Sequence, residues 1–103
     1  MPYDGTNFVE VAEPQMVRDL RAARRRIERE EDWCGCGPFG PGNAVCAHVA
    51  VMLTSGDWGL VLGVLRKSLP AGGTIHAYND SHTHAEVLAL FDRAISRELE
   101  RVG

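Results

Sequence analysis

The stretch Trp33-Cys-Gly-Cys-Gly-Pro-Phe-Gly-Pro-Gly-Asn43-Ala-Val-Cys-Ala-His48-Val-Ala-Val-Met-Leu53-Thr-Ser55 decides the fold. It carries all three cysteines, one of the four histidines and a dense glycine–proline loop, and it ends in the most apolar run of the chain. From Ala44 to Leu53 every residue except His48 is apolar, and a helix apolar on nearly all sides is a buried one. Asn43 is a good N-cap, since its side-chain oxygen can accept an orphan N–H of the first turn. Gly56 is placed to stop the helix in a left-handed conformation. The expectation is a central helix over 44–55 with other helices packed around it, behind a loop over 33–43.

Length supports one domain over 1–103. Hydrophobic content of 45% and charged content of 24% are ordinary for a globular protein. A net charge of −3 gives no global attraction to nucleic acid or to an anionic membrane. The apolar region from Ala44 to Leu65 has the length of a membrane span, but Thr54, Ser55, Gly56 and Asp57 interrupt it, and an Asp at the bilayer centre is costly. Two core helices joined by a tight turn is the better reading. The start has no basic-then-apolar leader pattern, and an odd number of cysteines fits reduced thiols in a cytoplasm.

Outward from the central stretch, residues 1–13 form an N-terminal arm in which Phe8, Val9 and Val11 suggest a brief strand or an anchor on the core. Pro14 suits the first position of a helix over 14–32. Met16, Leu20, Ala23 and Ile27 fall within about 60° of one another around that helix and face the core. Arg18, Arg21, Arg25 and Arg29 fall within roughly 80° on the other side. This arginine ridge is a solvated face or a docking ridge for a phosphate or an acidic partner. The acidic end, Glu28 and Glu30 to Asp32, lies at the wrong end for the helix dipole.

A third helix is expected over 57–69, with Trp58, Val61, Leu62, Leu65 and Leu69 on its apolar face and Pro70 behind it. Gly72-Gly73 makes a turn. Thr74-Ile75-His76-Ala77-Tyr78 alternates as a short strand over 74–78 would. Asn79-Asp80-Ser81 carries turn chemistry. Thr83-His84-Ala85-Glu86 is a capping box that opens a last helix over 84–101, with Val87, Leu88, Phe91, Ala94, Ile95, Leu99 and Val102 in an arc of about 120°. The fold class is mainly α, with α+β as the alternative if residues near 8–11 and 74–78 pair.

Four stretches together resemble a known family of small proteins from actinobacteria and their phages, catalogued as a domain of unknown function (number 6197). They are Trp33-Cys34-Gly35 at the end of the first helix; Ala44-Val45-Cys46-Ala47 after the glycine-rich loop; Tyr78-Asn79-Asp80, where the family has Trp-Asn-Asp; and Thr83 followed by Glu86-Val87-Leu88-Ala89-Leu90-Phe91-Asp92-Arg93-Ala94-Ile95. Cys36 stands where the family has glycine, and Val49-Ala50 replaces Gly-Ala. The resemblance covers roughly residues 14–97. It implies a compact intracellular domain in a phage or actinobacterial setting, and it brings no known activity.

Two chemistries are weighed against packing. Cys34, Cys36, Cys46, His82 and His84 are ligand types for zinc, of which four make a structural site. The Cys-x-Cys spacing is poor, and Cys46 and His48 lie about 200° apart on a helix. The plain alternative is that Cys34 and Cys46 are small buried hydrophobes, with no cofactor bound. Cys46 in the first turn of a helix capped by Asn43 would have a lowered thiol pKa, with His76 as base and Asn79 or Asp80 as its orienting group. Residues 56–69 follow the central helix as in a helix-turn-helix, but the third helix offers only Arg66 and Lys67, too few polar side chains to read bases. The leading expectation is a non-enzymatic accessory protein, phage-encoded and cytoplasmic, binding a protein partner through Arg18, Arg21, Arg25 and Arg29, as a monomer or homodimer. The alternatives are a thiol- or zinc-dependent enzyme, a zinc-stabilised module using Cys34, Cys46, His76, His82 and His84, or a nucleic-acid binder using the same arginines.

Overall fold

A computed structural model describes residues 13–102, with the side chain of Val102 left aside. The expected strand or anchor at Phe8, Val9 and Val11 lies outside the described residues. The described residues form five helices: α1 (Gln15–Arg26), α2 (Ala47–Thr54), α3 (Trp58–Lys67), α4 (Ile75–Ser81) and α5 (His84–Val102), with a 3-10 turn at Glu30–Asp32 between α1 and α2. Among the described residues there is no strand. Isolated bridges from Val45 to Trp33 and to Phe39 are the extended pairings among these residues. The class is mainly α, as composition and periodicity imply, and the α+β alternative falls.

Helix α1 packs chiefly on α2 and on α5. Val17, Leu20, Ala23 and Ile27 are fully buried, with Met16 at the edge, so the apolar stripe does face the core. The helix is shorter than the expected 14–32. It stops at Arg26, with Arg24, Arg25 and Arg26 in its last turn, where cations suit the dipole. The acidic residues Glu30, Glu31 and Asp32 occupy their own turn, so the dipole conflict read in the sequence does not arise. The C-cap residue is met from far along the chain. A ring nitrogen of His84 lies 2.6 Å from the carbonyl oxygen of Ile27 and can cap it.

Helix α2 starts later than the expected 44–55. Its N-cap is Cys46, whose Sγ accepts from the Val49 N–H at 3.4 Å. Asn43 instead offers its carbonyl to the Arg26 guanidinium at 2.6 Å. Gly56 is not among the glycines with positive φ, which are Gly37, Gly42, Gly72 and Gly73. The helix ends because Ser55 turns extended, its hydroxyl directed at Asp19 of α1 at 3.4 Å. Nor is α2 buried all round: Ala47, Ala50 and Val51 are buried, but Met52 is 43% and Leu53 60% exposed. The largest fully buried side chains are Phe91, Leu20, Ile27 and Leu65, from α5, α1, the end of α1 and α3. The core is therefore shared among helices rather than built on one central post.

Segment 74–78 is not a strand. Thr74 caps α4 by accepting from the Ala77 N–H at 3.1 Å, and Ile75 and Asn79, four apart, both face inward. Two-residue alternation over five residues cannot be told from one helical turn, and the cap decides it. In α3, Val61 and Leu65 are buried as expected, while Trp58 is 44% exposed. The capping box of α5 forms as read: the Thr83 N–H donates to Glu86 at 2.8 Å and the Glu86 N–H to Thr83 Oγ1 at 3.2 Å. Arg93 and Arg97 of α5 donate to the carbonyls of Ser68 and Lys67, satisfying the C-terminal end of α3.

Candidate functional site

Segment 33–46 is a wound loop rather than a strand or helix, held mainly by its own backbone. Cys34 N–H donates to Val45 O at 2.9 Å, Val45 N–H to Asp32 O at 3.1 Å, Gly40 N–H to Ala44 O at 2.9 Å and Cys46 N–H to Pro38 O at 3.0 Å. Gly35 is required by crowding, and Gly40 is tightly confined. A Cβ at Gly35 would lie 2.5 Å from the Trp33 indole, and one at Gly40 would lie 3.1 Å from the Cys34 Sγ.

One side chain ties this loop to the helices. Asn79 of α4 is 1% exposed. Its Oδ1 accepts from the Trp33 indole N–H at 2.8 Å and from the Ala47 N–H at 3.0 Å. Its amide donates to Cys34 O at 2.9 Å and to Asp80 Oδ1 at 3.3 Å. Both lone pairs and both amide hydrogens are thereby used, the full capacity of an Asn side chain. The exposed Asp80 also accepts from Gly37 N–H at 3.4 Å. The sequence assigned Asn79-Asp80-Ser81 to a turn; in the structure it is the last turn of α4 and the seam of the domain.

The thiol arrangement differs from a nucleophile's. Cys46 is 1% exposed. It caps α2 instead of lying in its first turn, and burial pushes its thiol pKa up rather than down. Cys34 is buried and Cys36 exposed, and all three cysteines are free. His76 does not orient on a carboxylate: it stacks on His48 of α2, ring centroids 4.1 Å apart. Burial, and secondarily His76, hold the His48 pKa below the ordinary imidazole value.

The zinc candidates are dispersed. His82 stacks on Tyr78 at 3.7 Å, its Nδ1 2.9 Å from the Tyr78 carbonyl oxygen. His84 lies against Trp33 at 5.3 Å and caps α1. Cys34, Cys36 and Cys46 are not joined by either, and among the described residues no three His, Cys, Asp or Glu side chains converge to hold a metal ion.

The arginine ridge is present but shorter than read. Arg29 lies beyond the end of α1 and pairs with Glu31. Arg21 pairs with Glu13 at 2.9 Å, and Arg24 with Asp92 of α5 at 2.8 Å and with Glu28 at 3.5 Å. Arg18 bonds Gln15 at 2.8 Å. Arg25 is exposed and makes no ion pair among the described residues. Arg21, Arg24, Arg25 and Glu28 line a shallow hollow of about 140 Å³. Among the described residues no helix is long and apolar enough to cross a membrane.

These features define a small helical domain whose glycine-rich loop is pinned by one buried amide. The chain belongs to the family catalogued as DUF6197, a family of unknown function, whose model matches residues 12–97. No curated protein and no solved structure matches the chain.

Proposed function

We propose that the protein is a small non-enzymatic interaction domain that docks an acidic surface of a partner protein on the exposed face of α1. The observation that supports this reading is the hollow lined by Arg21, Arg24 and Arg25. Asp92 and Glu28 hold Arg24 in place as a wall, while Arg25 keeps its guanidinium for an incoming carboxylate, which such a fork grips in two-point fashion. The buried, pKa-raised Cys46 favours the non-enzymatic reading over thiol catalysis. A protein partner suits the face better than nucleic acid, because Glu13, Glu28 and Asp92 interleave with the arginines and would repel a run of phosphates. A reducing cytoplasm suits the three free thiols.

The test is binding of a fluorescent glutamate- and aspartate-rich peptide, with duplex DNA of similar charge as the competing ligand. The double variant Arg21→Glu, Arg25→Glu is expected to weaken peptide binding tenfold or more, about 1.4 kcal/mol, with an unchanged melting temperature. Peptide binding that survives the reversal, or DNA bound in preference to peptide, overturns the reading.

A further inference from the structure

The Cys34-Gly35-Cys36 run, too closely spaced for zinc, sets a buried thiol beside an exposed one. Cys34 is 8% exposed, and its backbone is held on both sides. Its N–H donates to Val45 O at 2.9 Å, and its carbonyl accepts from the Asn79 amide at 2.9 Å. Its thiol is turned towards the next cysteine, donating to the Cys36 carbonyl at 3.3 Å. Cys36 is the freer member of the pair. Among the described residues its backbone makes no hydrogen bond to another backbone group, and the chain bends through 35–38. Two residues of extended chain span at most about 7 Å, and a bend at the residue between them shortens that. A disulfide accepts Cα separations of roughly 4.4–6.8 Å. The residue between is Gly35, which the Trp33 indole keeps free of a side chain. Cys46 stands apart, its Sγ engaged in capping α2.

We propose that Cys34 and Cys36 form a reversible dithiol–disulfide site whose oxidant is a low-molecular-weight disulfide. The exposed Cys36 reacts first. Its thiolate attacks one sulfur of the disulfide RSSR, forming Cys36–S–SR and expelling RS⁻. The Cys34 sulfur then attacks the Cys36 sulfur and expels the second RS⁻. The two protons lost by the cysteines end on the two RSH, and two electrons pass from the protein to RSSR. The roles follow from access: a bulky disulfide reaches the exposed thiol, and only a neighbour in the same chain reaches it from the buried side. A ring closed over one intervening residue restrains little of the unfolded chain, so the bond is no structural staple. Bonds that are strained or exposed are the labile ones, and the site therefore reopens when thiol returns. None of these residues lines the arginine hollow of α1, so the site stands independently of the docking face.

The experiment treats the reduced full chain with oxidised glutathione at mildly alkaline pH, followed by acid quenching, alkylation and mass spectrometry. Chymotryptic cleavage after the exposed Phe39 separates Cys34 and Cys36 from Cys46. The expected product has lost two hydrogens, carries the bond between Cys34 and Cys36, keeps Cys46 free and returns to the dithiol with reduced glutathione. Cys34→Ser is expected to stop at a persistent glutathione adduct on Cys36. Cys36→Ser is expected to react at least tenfold more slowly than the parent. A parent that stops at the Cys36 adduct, links two chains through Cys36, bonds Cys34 to Cys46 or does not react overturns the proposal. So does a Cys36→Ser variant that reacts as fast as the parent. Should Cys34→Ser fail to fold, the parent's peptide map and the exposed-site variant Cys36→Ser decide.

Discussion

The indole nitrogen of Trp33 and the side-chain oxygen of Asn79 are 2.8 Å apart across 46 residues of chain. That bond closes the glycine-rich loop onto α4, and it comes with three others from the same amide. Asn79→Ala would strand the Ala47 N–H and the Cys34 carbonyl in a buried site, and the half-buried Trp33 N–H beside them. Each buried unsatisfied group costs about 1–3 kcal/mol, so a loss of about 3–5 kcal/mol is expected in urea unfolding, enough to leave the domain marginal. Asn79→Asp discriminates further. It keeps the acceptor for Trp33 and Ala47, loses the donor to Cys34 O, and sets a second carboxylate beside Asp80. Its stability should therefore improve towards acid pH, where a carboxylate can take up a proton and donate.

Gly35 and Gly63 should answer the same substitution in opposite senses. Gly35→Ala drives a Cβ into the Trp33 indole, with ring atoms at 2.5, 3.1 and 3.1 Å, and the Asn79 bond holds that ring from moving away. A loss of about 1–3 kcal/mol is expected, as for other overpacked sites. Gly63→Ala meets nothing, and α3 should gain about 0.5–1 kcal/mol from the better helix former. Thermal melts of the two variants beside the parent check both signs.

The His48–His76 pair makes stability depend on pH. The folded state holds the His48 pKa below its unfolded value of about 6.5, so the unfolded chain takes up the proton first. Stability from this group is complete above about pH 6.5 and declines as pH falls from there towards the folded pKa. Chemical-shift titration should place the His48 midpoint below 6.5. His48→Gln should flatten that part of the stability profile; an unchanged acid slope in that variant would assign the slope to other groups.

The thiols should separate by access. Cys36 is exposed, while Cys34 and Cys46 are buried, and burial keeps Cys46 protonated to higher pH than an ordinary thiol. Mass spectrometry after brief iodoacetamide treatment at neutral pH is expected to show one modified cysteine, at Cys36, and three only in denaturant. Rapid modification of Cys46 in the folded protein would reinstate it as a nucleophile.

Much of this architecture was legible because the signals were local. The stripe on α1, the apolar face around Val61 and Leu65, and the Thr83–Glu86 box each lie within a few turns, and each formed. What escaped was set by partners far away in sequence. The carbonyl at the end of α1 finds its partner in His84, 57 residues from Ile27. The start of α2 depends on loop bonds that make Cys46, not Asn43, the cap. The role of Asn79 was hidden because a turn-forming residue and a buried amide look alike until their neighbours are known. Likewise His82 and His84, ligand types by chemistry, serve as helix caps and ring-stacking partners by geometry.

The order in which the Asn79 contacts can form has a bearing on synthesis. Trp33 and Ala47 leave the ribosome 46 and 32 residues ahead of the amide that will bind them. Until α4 emerges, the nascent glycine-rich loop has only its own backbone bonds, and α1 lacks the His84 cap. A chain ending before residue 79 therefore lacks all four bonds of the Asn79 side chain and the His84 contact at the end of α1.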